Sequence, residues 1–448
     1  MRSEALAPLL PRTWTDGGDG VAIGGVPLSR IAGRFGTPVY VVDEAHLEHR
    51  LAEFRTAFGP AVTPVFAGKA GLYGALVRLL DRAGWWIDVV SAGELEIAAW
   101  CGFDPSRLLM HGNAKPPSEI DAALERGVAR LVIDHPGEID LVSARATSRP
   151  APAGGTGGID VLVRLNADVA AVTHDKVKTT GARAQFGMDA VAARDAVDRA
   201  VEAAGVRLAG VHIHIGSQIS DLDAFRRAAR AVVEFAAPLR DGFGPVIDLD
   251  LGGGLAVPYV AGDPAPSVGD FASAVLGGLE EARADERLGA HRVLIEPGRS
   301  VVASAGVTVY RVVARKRLPD GHEVIAVDGG LSDNPRPSLY GQRYEVLPVG
   351  WSAAPADGPV RVVGRHCETG DLISPEARLP ADLGPGDLVA VPVTGAYAYS
   401  MSSRYNGLGR PPVVWVAGGD ARPVVRRETI EDLTGCDLEL TAPPAGAD

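Results

Sequence analysis

Short apolar runs alternate along the chain with amphipathic runs of helix length, beginning at about residue 44. The apolar runs are rich in valine, isoleucine and leucine, which is typical of buried strands, and several helix-length runs end in glycine. The predicted strands cover residues 63–70, 85–91, 107–113, 130–134, 159–167, 207–216, 246–253 and 291–298. Eight strand and helix units of this size predict a (β/α)8 barrel of the TIM type.

The pattern changes after about residue 305, where strands and turns replace the alternation of strands and helices. Six β-rich runs follow, and the last of them predicts a hairpin around residues 418–420. Residues 1–37 also have strand and turn character and have no place in the barrel. We therefore predict a barrel domain over residues 38–304 and a mostly β second domain over residues 1–37 and 305–448.

The composition is that of a folded globular chain, with 46% hydrophobic and 22% charged residues among 448. A net charge of −12 leaves no broad basic surface, so we expect neither a nucleic acid nor an anionic membrane as a partner. No apolar run reaches the roughly 20 residues that span a bilayer. Three scattered cysteines, Cys101, Cys367 and Cys436, fit a reducing compartment, so we expect a cytoplasmic protein.

The first predicted strand ends in Lys69, one of five lysines in a chain that otherwise uses arginine for positive charge. A partly buried lysine can lose its proton and form a Schiff base, whereas arginine keeps its proton. The alternative is a structural lysine whose ammonium reaches solvent from a strand end. Barrel enzymes carry their active sites at this end of the strands. The other polar residues there are Asp88, His111, Asn113, Arg164, Asn166, His212, His214, Ser217, Glu296 and Arg299, together with the glycines at 252–254.

Three of these features each admit two interpretations. The glycines at 252–254 form either a tight turn or a phosphate site, which often follows the seventh and eighth barrel strands. His212 and His214 share a strand face, either as a zinc pair or with one ring stacked on a planar ligand. No third ligand has a suitable spacing, so we predict no metal. Glu296 ends an apolar strand and needs a partner, which is either Arg299 or the ring nitrogen of a cofactor.

A Schiff-base lysine, phosphate-binding glycines, a stacking histidine and a carboxylate for a pyridine nitrogen together describe a site for pyridoxal 5'-phosphate. In the second domain, Arg336 with Tyr340 and Arg299 could bind substrate carboxylates bidentately, or Arg336 could form a surface ion pair. Cys367 is flanked by His366 and Glu368 before a turn, which predicts an exposed thiol rather than a buried one.

Nine short motifs follow one another along nearly the whole chain: "FAGKA", "IDVVSAGEL", "HGNAK", "HIHIGSQI", "DLGGG", "EPGRS", "DGGLSDNPRP", "HCETGD" and "GAYAYSMSSRYN". In kind and order they resemble the diaminopimelate decarboxylase family of fold type III pyridoxal phosphate enzymes, a group that includes ornithine decarboxylase and alanine racemase. The resemblance implies an alanine racemase-like barrel with a β domain, pyridoxal 5'-phosphate as the cofactor, amino-acid decarboxylation, and a homodimer with shared active sites.

The resemblance also implies roles for individual residues. Lys69 would hold the cofactor through a Schiff base, and His214 would stack on its ring. Further contacts with the cofactor would come from Asp88, Ser217, Gly254, Glu296, Gly298, Arg299 and Tyr397, with Glu296 at the pyridine nitrogen. The substrate would be bound by Arg299, Arg336, Tyr340, Glu368 and Tyr397. Cys367 would return a proton to the carbon that loses CO2, and it would come with Glu368 from the partner subunit.

The implied substrate is meso-diaminopimelate and the implied product is L-lysine. Arg336 and Glu368 suit this substrate because its far end carries a carboxylate and an ammonium. Racemases of this fold place an arginine at the ring nitrogen, so Glu296 favours decarboxylation over racemisation.

Three positions depart from the family pattern: Gly71, Thr369 and Gln185. They leave another amino acid as the alternative substrate, including an acidic one tethered to an acyl carrier protein. Two rival functions are a pyridoxal phosphate-binding protein without turnover and a cofactor-free aldolase that uses Lys69 directly.

Overall fold

The computed structural model describes residues 4–17, 20–148, 158–167, 185–283, 288–350 and 358–440. The chain divides into two compact units. The first, called the barrel unit below, comprises Arg50–Val257 and Pro264–Ser300. The second, called the β unit, comprises Met1–His49, Pro258–Asp263 and Val301–Asp448.

The barrel unit contains eight parallel strands that close into a barrel, which confirms the predicted fold class. The strands are Val62–Ala67, Trp86–Val89, Leu108–Met110, Arg130–Ile133, Ile159–Leu165, Val206–Ile213, Ile247–Asp250 and His291–Ile295. They pair in chain order, and the eighth strand closes the barrel by pairing with the first, with Val293 opposite Val62. Each strand overlaps a run predicted from the sequence.

Helices follow the strands, as the amphipathic runs predict. Between residues 44 and 302 they are Glu44–Phe58, Gly74–Arg82, Ala92–Trp100, Pro117–Arg126, Gly137–Thr147, Ala190–Glu202, Leu222–Ala236, Val268–Arg283 and Arg299–Val302. Local chemistry sets their ends. The helix at Ala92 begins after Ser91, whose hydroxyl accepts the backbone N–H of Glu94 at 3.2 Å. The helix ending at Arg126 stops at Gly127, which adopts the left-handed conformation.

The inward-facing side chains of the barrel form an apolar layer below its C-terminal rim. Val65, Leu109, Val132, Leu162 and Leu294 make one buried cluster that draws on five strands. Residues two apart on a strand point to the same face. His111 and Glu296 come two positions after Leu109 and Leu294 of this layer, so their side chains point into the mouth of the barrel.

The β unit is built on two sheets. A three-stranded sheet comprises Thr15–Gly17, Gly20–Ile23 and Val26–Pro27. The nine-stranded sheet comprises Val39–Asp43, Gly306–Arg317, Glu323–Val327, Leu347–Val349, Val360–Val363, Leu372–Ala377, Leu388–Pro392, Val413–Ala417 and Asp420–Val425. The described helices of the β unit include Leu28–Phe35, Arg336–Tyr340 and Ile430–Thr434. The mostly β character predicted after residue 305 and the hairpin around residues 418–420 are both present.

The units differ from the predicted domains at their boundaries. Val39–Asp43, predicted in the barrel domain, is a strand of the β unit that pairs antiparallel with Gly306–Arg317 and parallel with Val413–Ala417. Residues 258–263 also belong to the β unit. All five residues of Val39–Asp43 are buried. A short buried strand has the same apolar pattern in a barrel and in a central sheet, so the sequence could not assign it.

Candidate active site

Polar side chains gather where the barrel strands end. Because the eight strands are parallel, their C-terminal ends meet at one rim. Lys69 lies in a single 3-10 turn, Gly68–Ala70, directly after the first strand, and its side chain is exposed. The backbone N–H of Gly71 closes this turn by donating to the carbonyl of Gly68 at 2.9 Å. Other residues at this rim include Asp88, His111, Arg164, His212, His214, Ser217, the glycines at 252–254, Glu296 and Arg299.

Glu296 lies between two imidazoles and is only 6% exposed. His111 Nε2 is 2.7 Å from Oε1, and His212 Nε2 is 3.2 Å from Oε2. Burial alone would raise the pKa of Glu296, but the two imidazoles outweigh it and hold this pKa well below its usual value. The carboxylate therefore stays ionised inside the barrel mouth.

The partners of Glu296 answer a question that the sequence left open. Its hydrogen bonds come from His111 and His212, whereas Arg299 donates to Ser217 Oγ from Nη2 at 3.0 Å. Sequence reasoning assigned neither histidine to Glu296. The two-residue period of a strand could have predicted this contact, because it directs His111 and His212, at the ends of two other strands, into the barrel.

The glycines at 252–254 form a crowded turn after the seventh strand. Gly254 has a φ of +116°, and a Cβ atom there would overlap the carbonyl oxygen of Gly216. Its carbonyl accepts the backbone N–H of Ile219 at 2.9 Å, which fixes the turn. Gly298 is also enclosed, because an added Cβ would lie 2.9 Å from the Cβ of Ala67. Bare backbone of this kind lets an anion approach the N–H groups.

We expect Gly254→Ala to weaken the binding of pyridoxal phosphate roughly 10- to 100-fold, because the methyl group strains this turn. Titration of the cofactor-free protein, followed by absorbance, measures the dissociation constant. Gly244→Ala is the matched control, since an added Cβ there meets nothing within 4 Å. Equal dissociation constants for the two folded variants would refute a role of this turn in cofactor binding.

His214 follows the sixth strand, and its Nδ1 accepts the backbone N–H of Gly253 at 3.2 Å. Burial lowers the pKa of His214 well below its usual value, and the positive charge of Lys69 lowers it further. A neutral ring held by one nitrogen is suited to stacking on a planar ligand, and the stacking role stays a prediction.

Three more carboxyl groups lie close to the rim. Burial raises the pKa of Asp88, and the electrostatic interactions with His111 and Lys69 oppose this increase. Burial also raises the pKa of Asp250 well above its usual value, with a further contribution from the charge of Glu296. Burial raises the pKa of Glu94 to about 7. Of these three, the sequence identified only Asp88, although Asp250 was visible as a charge within the apolar run before the glycines.

The ligand atoms of His111, His212 and Glu296 lie within 4.8 Å of one another, so this trio has the donor set of a metal site. The pair weighed from the sequence was His212 with His214. Their hydrogen bonds run to different partners, Glu296 for His212 and Gly253 for His214. The predicted lack of a metal stays a prediction.

A second polar site lies within the β unit. Arg336 begins a short helix and is only 3% exposed. Its guanidinium carbon lies 5.7, 5.2 and 5.6 Å from the ring centroids of Tyr259, Tyr340 and Tyr397. Within the described part of the chain, its Nε has no hydrogen-bond partner. The three aromatic rings stabilise the Arg336 cation and leave its N–H donors for a carboxylate. The backbone of Tyr397 has an unusual φ of +59°.

Cys367 and Glu368 are both exposed in this chain, and Cys367 is a free thiol, as predicted. The hydroxyl of Tyr405 is 3.5 Å from Glu368 Oε2, a long hydrogen bond that leaves the carboxylate accessible. His366 is buried beside them, with Nε2 2.9 Å from the hydroxyl of Ser332. The buried His366 thus anchors the turn, and the Cys367 thiol and the Glu368 carboxylate are exposed on it.

The barrel rim fits pyridoxal phosphate. Lys69 offers an exposed amine, and Glu296 offers a buried, ionised carboxylate suited to a protonated ring nitrogen. The crowded glycine turn and the hydrogen-bonded pair of Arg299 and Ser217 offer backbone N–H groups and a cation suited to a phosphate.

Comparison with known proteins agrees with this chemistry. Residues 44–303 match the family model described as "Pyridoxal-dependent decarboxylase, pyridoxal binding domain". A diaminopimelate decarboxylase of Actinosynnema pretiosum is 47% identical over 92% of this chain and 91% of that protein. The chain belongs to the diaminopimelate decarboxylase family. The Mycobacterium tuberculosis member of this family is 39% identical over 97% of this chain and 98% of its own length.

Solved structures of the family have the same architecture. The diaminopimelate decarboxylase of M. jannaschii, in complex with L-lysine, superimposes with a TM-score of 0.86 at 29% identity, covering 97% of this chain and 98% of that one. The decarboxylase family thus combines the barrel and the mostly β unit found here. No described helix has the length and apolarity that a membrane crossing requires.

Proposed function

We propose that this protein decarboxylates meso-diaminopimelate to L-lysine and CO2 with pyridoxal 5'-phosphate as its cofactor. The observation that carries the proposal is Glu296, which two imidazoles hold ionised at the same barrel rim as an exposed amine-bearing residue, Lys69. The named activity of a relative that is 47% identical over 92% of this chain supports the substrate.

The barrel residues would hold the cofactor and tune it. Pyridoxal phosphate, when bound, supplies an aromatic ring that accepts the electron pair of a breaking Cα–CO2 bond. Lys69 would supply the amine that attaches the cofactor. Glu296 keeps a proton on the ring nitrogen, and His214 packs against the ring. The remaining cofactor contacts are assigned to Asp88, Ser217, Gly254, Gly298, Arg299 and Tyr397.

The substrate is distinguished at its far end. Arg336, with Arg299, Tyr340 and Tyr397, binds the far carboxylate, because a guanidinium can donate two parallel hydrogen bonds to it. Glu368 accepts from the far ammonium. The Cys367 thiol donates a proton to Cα after CO2 has left, so the carbon exchanges a carboxylate for a hydrogen.

We infer a homodimer in which Cys367 and Glu368 complete the active site of the other subunit. In support, both side chains are exposed in the single chain, although their proposed work requires contact with substrate. Small-molecule chemistry of this kind and the free cysteines also support a cytoplasmic location.

The substrate is tested by measuring CO2 release from meso-diaminopimelate, ornithine, lysine, and aspartate or glutamate tethered to a carrier protein. We expect kcat/KM for meso-diaminopimelate to exceed that for lysine and ornithine by roughly 10-fold or more, because only diaminopimelate offers a far carboxylate to Arg336. Turnover confined to the carrier-bound substrates would replace the proposed substrate with the carrier-tethered alternative. A protein that binds the cofactor but turns over none of them would instead be a non-catalytic binder.

A further inference from the structure

Both oxygens of Glu296 receive a hydrogen bond from an imidazole. His111 approaches Oε1 and His212 approaches Oε2, and the two rings meet edge to face with their centroids 4.8 Å apart. Each carboxylate oxygen has two acceptor positions, so one on each oxygen stays available for a further donor. The pair of histidines therefore restrains the carboxylate without blocking it.

The protonation of His212 can be deduced from its surroundings. Burial lowers the pKa of His212 to about 4, against the attraction of Glu296, so the ring is neutral. Its Nε2 faces a carboxylate oxygen, and its Nδ1 is buried with no hydrogen-bond partner among the described residues. A neutral ring carries one N–H, and placing it on Nε2 makes a hydrogen bond to an anion. His212 is therefore a donor to Glu296.

Asp250 adds a third neighbour to this carboxylate. It is fully buried, and its Oδ1 accepts the backbone N–H of Gly252 at 3.0 Å. Burial raises the pKa of Asp250 well above its usual value, and the negative charge of Glu296 raises it further. Glu296 thus remains the ionised member of the pair.

The backbone next to His111 is held by the segment that follows it. The ammonium of Lys115 donates to the carbonyls of Gly112 at 2.8 Å and Val132 at 2.7 Å. It also pairs with Glu138 at 2.7 Å, and its side chain is fully buried. These contacts tie the end of the third strand to the fourth, so His111 is held in place on Glu296.

We propose that His111 and His212 are positioning residues that clamp Glu296, fixing its orientation and its negative charge toward the ring nitrogen of the cofactor. The inference rests on the proposed function, because it assigns Glu296 to that nitrogen. Without donors, a carboxyl group this deeply buried would take up a proton and could no longer hold one on the ring. The two histidines act only through Glu296.

The test compares His111→Gln with His111→Asn. Both are neutral amides, but only glutamine is long enough to place a donor near Oε1. Pyridoxal phosphate labelled with 15N at the ring is bound to each variant, and the nitrogen chemical shift reports whether the ring is protonated. We expect glutamine to keep the ring protonated and asparagine to shift the signal toward the neutral form, with kcat lower by roughly 10- to 100-fold. His291→Asn, at the opposite end of the eighth strand, is the matched control.

The outcomes separate this inference from the proposed function. Wild-type protein that binds no pyridoxal phosphate would contradict the proposed function. A ring nitrogen that stays fully protonated in both His111→Asn and His212→Asn would overturn the clamp while leaving that function intact. A stoichiometric metal ion in the purified wild-type protein would also overturn it, by assigning the trio to the metal.

A variant that folds but holds no cofactor still tests the clamp. The infrared carboxylate band of Glu296, identified by difference from Glu296→Gln, reports ionisation in the cofactor-free protein. We expect the band to weaken in His111→Asn and to persist in His111→Gln. If one position does not tolerate substitution, the equivalent pair at His212 provides the same comparison. An unchanged band in the asparagine variants would count against the proposal.

Discussion

Replacing Lys69 with alanine is expected to lower kcat by roughly 10⁴-fold and to abolish the visible absorbance of bound pyridoxal phosphate. The residue would supply both the covalent attachment and a base near the reacting carbon, and no other described residue at the rim carries an amine. Lys115, the other lysine described in the barrel unit, is fully buried in its ion pair with Glu138. The spectrum of the purified protein and single-turnover kinetics measure the two effects.

Two variants control this result. Lys69→Arg keeps the positive charge and cannot form a Schiff base, so it should be as inactive as alanine. Lys316→Ala removes an exposed lysine of the β unit and should leave activity unchanged. A colourless wild-type protein that stays colourless with added cofactor would favour the cofactor-free aldolase. A Lys69→Ala variant that keeps both the cofactor absorbance and the turnover would show that Lys69 is not the residue to which the cofactor is attached.

The barrel could be predicted from the sequence because the pattern that identifies each strand and helix lies within a short stretch of the chain. Each strand is an apolar run followed by an amphipathic run, and the position of Lys69, His214 and Glu296 at strand ends follows from counting along the chain. The strand Leu372–Ala377 was missed because its run "LISPEA" includes a proline and a glutamate. Only its pairing with Val360–Val363 at the edge of the sheet makes it a strand.

The partners of Glu296 could not be read from the chain because they come from distant strands. His111 and His212 are separated from Glu296 by 185 and 84 residues, and only barrel closure brings the three together. From the sequence, the two possible partners were Arg299, three positions away, and the ring nitrogen of a cofactor. The chain turns into a helix at that point, and Arg299 donates to Ser217 after the sixth strand instead. Local proximity therefore offered a cation as the alternative partner, and the two imidazoles become visible only in the closed barrel.

Cys367→Ala is expected to lower kcat by roughly 10²- to 10⁴-fold, because the thiol is the proposed proton donor to Cα. We expect turnover to fall and the absorbance of the bound cofactor to stay unchanged, because the cofactor attaches to Lys69 and Cys367 belongs to a different unit. Retained turnover would remove Cys367 from the mechanism. Thr369→Ala, two residues along the same exposed turn, is the control and should keep its activity.

Mixing inactive Lys69→Ala with inactive Cys367→Ala tests whether the active sites are shared between subunits. After random exchange, half of the dimers are mixed, and each has one site with both residues intact. Activity should therefore recover to about a quarter of the wild-type value per site. Mixing Lys69→Ala with Lys69→Arg should recover nothing, because every site then lacks the lysine. If subunit exchange is demonstrated by mass and activity still fails to return, the proposal that Lys69 and Cys367 of one site come from different subunits is wrong.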